Sequence, residues 1–289
     1  MTGDSEARRE VLAPAKVNVA LLVAGRRPDG FHDLLTLMAP LTLADRLTVE
    51  VAAGEGVAIA CGERAVPNDE RNLAARAALA FLDEAGLRRR VTIGLEKVVP
   101  VGAGLGGGSS DAAAVLAALN DLLGRPLSAD RMWRLALTLG SDVPFFLVGG
   151  WALAAGRGEH LTRVRGPAGV PLLVAAPRRG ISTPRVYQAV TPGDYAADAG
   201  ALCGLLARLG RPASEWWPRG VNSLMAPAMR AYTLLARLAR RLGELGFAEA
   251  RLSGSGGAFV APAVDAARAE AACAALAAEG YWAAVTATA

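Results

Sequence analysis

The amino-acid sequence predicts an α+β fold. In the second half of the chain, the predicted elements follow the order β-α…α-β-β-α-β, which indicates an α+β sandwich. The 289 residues are 53% hydrophobic and 20% charged, and the formal net charge is only +4. A chain of this composition can bury a sizeable core, and its length corresponds to one large domain or two of ordinary size.

The first half of the chain contains both β-rich and helical segments. Strands are predicted over 11–24, with an interruption at Pro14, over 91–96 and, after a loop at 140–144, over 145–148 and 151–156. A turn is predicted over 25–30, and a hairpin over 47–60 around Gly54 and Gly56. Helices are predicted over 72–82 with a stop at Gly86, over 112–123 ending at Gly124 before Pro126, and over 128–139.

The second half contains the remaining predicted elements. Strands are predicted over 171–176 and 281–287, and a strand, a glycine turn and a second strand over 251–261. Helices are predicted near 184–190, 197–209, 227–245 and 264–278. The segment 160–170 is rich in Gly, Pro and charge, so we expect a domain boundary there, which divides the chain into 1–163 and 164–289.

The composition and patterning argue against several classes of protein. The three cysteines are far apart and form no Cys-x-x-Cys pair, so we expect neither a disulfide framework nor a zinc site. The N-terminus is polar and no apolar run of about 18 residues occurs, so we expect no signal peptide, no membrane span and a cytoplasmic location. The arginines are scattered and aromatic residues make up only 5%, so we expect no nucleic-acid partner.

A glycine-rich loop at 100–111 (PVGAGLGGGSSD) precedes the strongest helix pattern. Its spacing formally fits G-x-G-x-x-G, but no acidic strand end follows about 20 residues later, and no Gly-Lys-Ser/Thr follows the glycines. Glycines let backbone N–H groups approach an anion, and Ser109, Ser110 and Asp111 are good N-cap residues for the helix. We interpret the loop as a cradle for a nucleotide phosphate; the alternative is a glycine-rich packing turn.

The chain contains only two lysines, Lys16 and Lys97, among 31 basic residues. Lys16 lies in an apolar, strand-like segment, and strand alternation places it on the same face as Asn18. A lysine in such a strand needs a partner. The alternative is an edge-strand lysine that guards against aggregation.

Four segments of the chain carry a resemblance to a known family. Residues 100–110 resemble the phosphate loop of the GHMP small-molecule kinases. Within that superfamily, APAKVNVALLVAGRRPDGFHDLLTL (13–37), LGSDVPFFLVGGWALAAGRGE (139–159) and LSGSGGAFVA (252–261) resemble segments of the 4-diphosphocytidyl-2-C-methyl-D-erythritol kinases. The pair PAKVN…DGFH selects this family, and the motifs span nearly the whole chain in the expected order.

The resemblance implies a two-lobed fold and a reaction. The N-terminal lobe would be ribosomal-S5-like and the C-terminal lobe ferredoxin-like, with substrate and ATP in the cleft between them. The family transfers the ATP γ-phosphate to the 2-hydroxyl of 4-diphosphocytidyl-2-C-methyl-D-erythritol, in the non-mevalonate route to isoprenoids. The resemblance therefore implies ATP and Mg²⁺ as cofactors, and we expect a monomer or a weak homodimer.

The family's catalytic pair matches Asp142 and Lys16 of this sequence. Transfer to an alcohol needs an acceptor for the hydroxyl proton, which is the role the resemblance gives to Asp142. The resemblance pairs Lys16 with that carboxylate. In this role Lys16 would keep the Asp142 carboxylate ionised and orient the acceptor hydroxyl. For Asp142 the alternative is a helix cap, because Asp-Val-Pro is a good turn or N-cap sequence.

The resemblance also implies a set of substrate-binding residues. Phe31 and His32 match the family's Tyr-His pair that receives the cytosine, and the change to Phe keeps stacking but loses the phenol oxygen. For Phe31 the alternative is core packing. Gly254, Ser255 and Gly256 match the family's third glycine motif, for which the alternative is a simple hairpin turn. The substrate-binding candidates are Asn18, Phe31, His32, Thr183, Gly254 and Ser255.

The nucleotide-binding candidates lie in and around the glycine loop. Lys97 matches a position beside the adenine, with a surface lysine at a strand end as the alternative. Asn72 is a candidate for the adenine pocket, although helix capping explains it equally well. Ser109 and Ser110 are candidates for phosphate or Mg²⁺. The full set is Asn72, Lys97, Pro100, Val101, Gly102, Ala103, Gly104, Leu105, Gly106, Gly107, Gly108, Ser109 and Ser110.

The sequence departs from the family pattern at 222–224, where Asn-Ser-Leu stands in place of the usual Asn-Asp-Leu-Glu, which puts a local helix cap or lobe contact in doubt. Two other functions compete. One is a GHMP kinase that acts on homoserine or a mevalonate-type substrate. These substrates contain no base with which Phe31 and His32 could interact. The other is a nucleotide-binding regulator without catalysis, against which the presence of both Lys16 and Asp142 argues.

Overall fold

The computed structural model describes residues 7–289, so most of the polar N-terminal tail lies outside the described residues. The chain forms two compact units. The first comprises the described residues up to Ala15 with Leu43–Val101 and Gly106–Gly149, and the second comprises Lys16–Thr42, Gly102–Leu105 and Gly150–Ala289. Part of the chain before residue 163 therefore belongs to the second unit, and the predicted division at 163/164 into two lobes stays a prediction.

The described part of the chain contains ten strands and ten α-helices, and their mixture confirms the predicted α+β class. The strands are β1 (Ala7–Arg26), β2 (His32–Ala52), β3 (Gly56–Cys61), β4 (Arg90–Glu96), β5 (Ala152–Gly156), β6 (His160–Arg163), β7 (Pro171–Pro177), β8 (Arg251–Leu252), β9 (Phe259–Pro262) and β10 (Tyr281–Ala287). The helices are α1 (Leu73–Ala85), α2 (Gly107–Leu122), α3 (Ala129–Leu139), α4 (Val143–Val148), α5 (Thr183–Gln188), α6 (Gly200–Leu206), α7 (Ala213–Trp216), α8 (Met225–Ala231), α9 (Thr233–Glu244) and α10 (Ala266–Ala278). None of these helices is long and apolar enough to cross a membrane.

In the first unit, β4 lies between two other strands. It pairs in parallel with β3 and antiparallel with the second half of β2, so Ile93 faces Ile59 on one side and Val49 on the other. The predicted hairpin over 47–60 is therefore wrong, because β2 and β3 do not pair with each other. The turn at 53–55 reverses the chain, but a local turn signal carries no information about a strand inserted later between the two arms.

The helices of the first unit pack on one apolar core. Phe81, Leu116 and Val143 from α1, α2 and α4 are fully buried there, together with Ile93 of β4. The caps follow the sequence closely, because Asn72 caps α1 and Gly86 ends it with a left-handed φ of 64°. Ser128 caps α3 through a bond to the Arg131 N–H.

Two local predictions in this part of the chain are wrong. Residues 145–148 form most of helix α4, and no strand is present there. A short apolar run does not distinguish a strand from a buried helix, and Pro144 in the first turn suits the helix. In addition, β1 continues through Pro14 without an interruption.

The second unit contains a four-stranded antiparallel sheet in the order β10-β7-β9-β8. Helices α8, α9 and α10 contribute Ala228, Leu238 and Leu276 to the core beside Leu173 and Phe259 of the sheet. The predicted helix over 227–245 is two helices, because Tyr232 takes an extended conformation between α8 and α9. In the same unit, the first half of β2 pairs with β5, and β5 pairs with β6.

Candidate active site

Lys16 and Asn18 point to the same side of β1, as strand alternation predicts. Both side chains are buried, and Lys16 Nζ donates a hydrogen bond to Asn18 Oδ1 at 2.6 Å. The backbone N–H of Lys16 donates to the Leu105 carbonyl at 2.8 Å, which ties this strand to the glycine loop. Lys16 is therefore a buried side chain beside the loop, and the alternative of an exposed edge-strand lysine is wrong.

Asn18 is the centre of a hydrogen-bond network. Its Nδ2 donates to Thr36 Oγ1 at 2.8 Å, and Thr36 Oγ1 donates to the Ala20 carbonyl at 2.7 Å. The backbone N–H of Asn18 donates to Ser253 Oγ at 3.1 Å. Thr36 and Ser253 lie in the segments 13–37 and 252–261, but they were not predicted as site residues, because only the folded chain brings them to Asn18.

The third glycine motif approaches Asn18 closely at Gly254. This residue has a left-handed φ of 62°, and a Cβ there would lie only 2.8 Å from Asn18 Oδ1. A side chain would therefore be strained and would clash with the amide. Asn222 Nδ2 donates to the carbonyls of Leu252 and Gly254, at 2.7 and 2.9 Å, and so supports the motif.

Asn222 also accepts from the Leu224 N–H at 2.8 Å through Oδ1. Asn222, which begins the departing segment at 222–224, therefore holds a turn before α8 without the acidic residues usual in the family, and the N-cap of α8 is Leu224. The motif it supports is more than the simple hairpin turn considered from the sequence, because Gly254 lies against the predicted catalytic lysine and its amide partner.

Thr183 and Ser255, both predicted to bind substrate, contact each other. Their hydroxyl oxygens lie 3.0 Å apart. Thr183 begins α5, and Tyr187 follows one turn later on the same face of that helix. The Tyr187 ring stacks on His32 with ring centroids 5.1 Å apart, so α5 connects Thr183 to the predicted cytosine-binding pair.

Phe31 is half exposed, with a relative accessibility of 50%, so core packing does not explain it. The Arg157 guanidinium lies over the Phe31 ring, 4.0 Å from its centroid. Burial and the charge of Arg26 lower the pKa of His32, which favours the neutral imidazole. Tyr187 and Arg157 were missed in the sequence; the threonine-to-tyrosine spacing on α5 is the signal that indicates Tyr187.

The glycine loop packs against the segment that contains the substrate candidates Gly254 and Ser255. Its residues 102–105 belong to the second unit, where the Ala103 carbonyl accepts from the Ala258 N–H at 2.8 Å. A Cβ on Gly104 would lie 2.5 Å from the Gly256 Cα, so the two backbones touch. The packing-turn interpretation is therefore correct for Gly104, where glycine allows the close approach of the third motif.

The other end of the loop begins α2 in a different way from that predicted. The N-cap is Gly106, with a left-handed φ of 74°, and the helix starts at Gly107. Ser109, Ser110 and Asp111 consequently lie inside the first two turns, and their role as N-caps was predicted wrongly. The first helical bond runs from the Ser110 N–H to the Gly106 carbonyl, so the preceding N–H groups have no helical acceptor.

Two polar atoms in this first part of α2 are buried without a hydrogen-bond partner. They are Ser110 Oγ and Asp111 Oδ1. A buried hydroxyl that lacks a partner costs free energy, so Ser110 Oγ is a candidate for contact with a ligand at the start of the helix. That the loop binds a nucleotide phosphate stays a prediction.

Lys97 is buried in a cluster of charges within the first unit. Its Nζ donates to Asp45 Oδ2 and, at 2.8 Å, to Asp111 Oδ2, and its side chain is only 6% exposed. Asp45 Oδ1 accepts from the N–H groups of Val98 and Val99. A surface lysine at a strand end is therefore wrong, and its place beside the adenine stays a prediction.

The charge cluster perturbs the pKa values of its members. Burial raises the pKa of Asp111 to about 7, although Lys97 opposes that shift and Asp45 reinforces it. The two carboxylates raise the pKa of Lys97 against the effect of burial. Near neutral pH the cluster therefore holds a fixed ammonium and one carboxyl group that is close to its titration point.

Asn72 and Asp142, both in the first unit, differ in how their side chains meet the helix they precede. Asn72 Oδ1 caps α1 by accepting from the Ala74 N–H at 2.9 Å, and its Nδ2 donates to the Pro67 carbonyl. Asp142 occupies the N-cap position of α4, but its carboxylate makes no capping bond. Capping therefore accounts for Asn72 and does not account for Asp142.

Comparisons with known proteins identify the family to which the chain is similar. The model of the GHMP kinases N terminal domain matches residues 72–150. The chain is 46% identical over 256 residues to the 4-diphosphocytidyl-2-C-methyl-D-erythritol kinase of Thermus thermophilus, covering 86% of each chain. It is 40% identical over 253 residues to the enzyme of that name from Geobacter metallireducens, covering 84% of this chain and 85% of that protein.

Solved structures give the same result. A crystal structure of a 4-(cytidine 5'-diphospho)-2C-methyl-D-erythritol kinase superposes with a TM-score of 0.84 at 43% identity, covering 97% of this chain and 100% of that one. A homoserine kinase from Cytophaga hutchinsonii superposes with a TM-score of 0.73 at 20% identity, covering 100% and 96%. The second likeness concerns the fold alone, and together they confirm the two-lobed fold of the GHMP kinases.

Proposed function

The chain belongs to the 4-diphosphocytidyl-2-C-methyl-D-erythritol kinase family, and from that premise we propose that it phosphorylates the 2-hydroxyl of 4-diphosphocytidyl-2-C-methyl-D-erythritol with ATP. This reaction belongs to the non-mevalonate route to isoprenoid precursors. The proposal assigns the acceptor to the second unit, where the predicted substrate-binding residues are connected by direct contacts.

One observation supports the cytidyl compound as the phosphate acceptor. Phe31 presents half of its surface to solvent, and the neighbouring His32 stacks on Tyr187. A half-exposed aromatic ring beside a neutral imidazole suits a nucleobase, because the ring stacks on the base and the imidazole nitrogens can exchange hydrogen bonds with its edge. Homoserine and mevalonate contain no base, so these residues favour the cytidyl acceptor over the alternative GHMP substrates.

The chain's own residues supply two functions in the transfer. Asp142, whose carboxylate does not cap α4, accepts the proton that leaves the attacking hydroxyl. Lys16, which Asn18 orients, binds at the acceptor end of the site and stabilises negative charge there. Thr183 and Ser255 hold the cytidyl side through their adjacent hydroxyl groups.

The glycine loop fits a nucleotide triphosphate with its metal ion. Bound ATP supplies the phosphoryl group, and bound Mg²⁺ neutralises phosphate charge. The N–H groups at the start of α2 bind phosphate oxygens, and the unpartnered Ser110 hydroxyl contacts a phosphate or the ion. Among residues 7–289 no three His, Cys, Asp or Glu side chains are grouped closely enough to hold a metal ion.

The decisive experiment compares acceptors. ATP consumption is measured with the cytidyl substrate, homoserine and mevalonate, and ³¹P NMR of the product locates the new phosphate. We expect turnover with the cytidyl substrate and a monoester at its 2-hydroxyl. Turnover with homoserine or mevalonate instead would move the protein to another GHMP activity, and nucleotide binding without any turnover would indicate the regulator.

The location and assembly of the protein form the last part of the proposal. We infer a cytoplasmic enzyme, because its three cysteines are free thiols and its substrates are phosphorylated metabolites. We also propose a monomer or a weak homodimer. Sedimentation at several protein concentrations tests the assembly, and a tight oligomer at every concentration contradicts it.

A further inference from the structure

Thr36 is a buried polar residue to which the proposed chemistry assigns no role. It lies in β2, in the part that pairs with β5, and its side chain is turned toward β1. Its hydroxyl contacts two groups, the Ala20 carbonyl at 2.7 Å and Asn18 Nδ2 at 2.8 Å. The carbonyl only accepts hydrogen bonds, so the single proton of the hydroxyl goes to it.

The hydroxyl can therefore only accept from Asn18. This requirement fixes the orientation of the Asn18 amide, because its NH₂ group must face Thr36 and its Oδ1 must face the other way. On that other side lies Lys16 Nζ, 2.6 Å from Oδ1. A reversed amide would direct its NH₂ group at an ammonium, which only donates.

The remaining contacts of Asn18 do not choose between the two orientations. Ser253 Oγ accepts from the backbone N–H of Asn18 and holds the strand, not the amide. Gly254 leaves space beside Oδ1 because it has no Cβ, and an NH₂ group has nearly the same size as that oxygen. Within the described network, Lys16 and Thr36 thus select the same orientation of the amide, and Thr36 is the group that holds its NH₂ end.

We propose that Thr36 is a positioning residue for catalysis, which acts through Asn18 to hold the Lys16 ammonium in its working position. The inference rests on the proposed function, in which Lys16 acts at the acceptor end. Without the Thr36 hydroxyl, the NH₂ group of the Asn18 amide loses its acceptor, so the amide is held only at its Oδ1 end and Lys16 loses a firmly fixed acceptor. A displaced ammonium lowers the rate of transfer even when both substrates still bind.

The test compares Thr36→Val with Thr48→Val. Thr48 lies on the same strand, half-buried and opposite Gly94, outside every residue assigned to the site. We expect Thr36→Val to lower kcat with the cytidyl substrate about 10- to 100-fold while KM for ATP stays unchanged. Thr48→Val should keep the wild-type kcat, and Thr36→Ser should restore most of it because the hydroxyl returns.

A double-mutant cycle with Asn18→Ala distinguishes positioning from a general loss of packing. If Thr36 acts through Asn18, then adding Thr36→Val to Asn18→Ala changes kcat by less than about twofold. The inference would be overturned if the effects of Thr36→Val and Asn18→Ala on kcat multiplied in the double variant. It would also be overturned if Thr36→Ser had a wild-type Tm but did not restore kcat. Failure of the proposed function gives a different result from failure of this inference. The wild-type enzyme would then be inactive with the cytidyl substrate, or the Lys16→Met variant would be active.

Discussion

Lys16 and Lys97 are both almost fully buried, but their ammonium groups meet different partners. Lys97 lies in the first unit between the carboxylates of Asp45 and Asp111. Lys16 lies in the second unit, where a neutral amide oxygen of Asn18 accepts its hydrogen bond. Asp45 also binds two backbone N–H groups beside Lys97, whereas the amide beside Lys16 is held by a threonine hydroxyl.

This difference leads us to predict a structural role for Lys97 and a catalytic role for Lys16. Two carboxylates neutralise the Lys97 charge and connect the end of β4 to α2, so this ammonium holds the loop that enters the helix. The Asn18 amide oxygen orients the Lys16 ammonium, and in the proposed reaction this positive charge stabilises negative charge on the acceptor. We therefore expect changes at Lys97 to act on stability and changes at Lys16 to act on rate.

The largest expected effect is on catalysis at Lys16. Lys16→Met should lower kcat with the cytidyl substrate by roughly 10²- to 10⁴-fold, because it removes the ammonium at the acceptor end. Steady-state kinetics and urea unfolding of the same preparation measure both properties. A variant with normal kcat but a large loss of stability would reverse the assignment of the two lysines.

The next effect is on stability at Lys97. Lys97→Met leaves two buried carboxylates without their cation, so we expect the free energy of unfolding to fall by about 3–5 kcal/mol in urea denaturation. The matched control is Arg88→Met, which removes the exposed ion pair with Glu55 and should leave stability nearly unchanged. Equal effects of the two substitutions would contradict the structural role of Lys97.

The pH dependence of stability tests the same cluster with a smaller effect. The pKa of Asp111 is raised to about 7, above its unfolded value of 3.8, so the folded protein retains a proton that the unfolded chain releases. The stability that Asp111 contributes is therefore complete below its unfolded pKa and is lost as the pH rises to about 7. Urea unfolding across that range should show a flatter profile for Asp111→Asn, and identical profiles would refute the shift.

The smallest effect concerns the cap of α1. Asn72→Ala should lower the free energy of unfolding by about 1 kcal/mol, because it removes the bond to the Ala74 N–H. Asn72→Asp keeps that acceptor and should retain most of the stability. If instead Asn72→Ala raises KM for ATP and leaves stability intact, Asn72 lines the adenine pocket and the first unit contains a second functional residue.

Much of the fold could be predicted because its signals are local. The cap and stop of α1 at Asn72 and Gly86, the cap of α3 at Ser128, and the strand at 281–287 all lie where the sequence placed them. The hairpin at 47–60 and the strand at 145–148 could not be predicted correctly. Turn residues and short apolar runs do not specify which distant segment a strand or helix packs against.

The candidate site shows the same contrast between features with a local sequence signal and features that depend on distant contacts. The sequence predicted Lys16, Asn18 and Gly254 as site residues, because their motifs are specific and strand alternation places the first two on one face, and the structure brings the three together. It did not identify Thr36 as the partner of Asn18, since the two residues are 18 positions apart on different strands. The start of α2 at Gly107 also differed, because the backbone of Gly106 caps the helix where serine side chains were expected.

The sequence by itself determined the family, the α+β class and the residue types available to the chemistry. These depend on motifs and on conformational preferences that act within a few residues. Only the tertiary structure decided that one lysine lies between two carboxylates, one of them 52 positions away, while the other lies beside an amide. Burial makes such partners obligatory, but the folded chain determines which groups are near enough to serve.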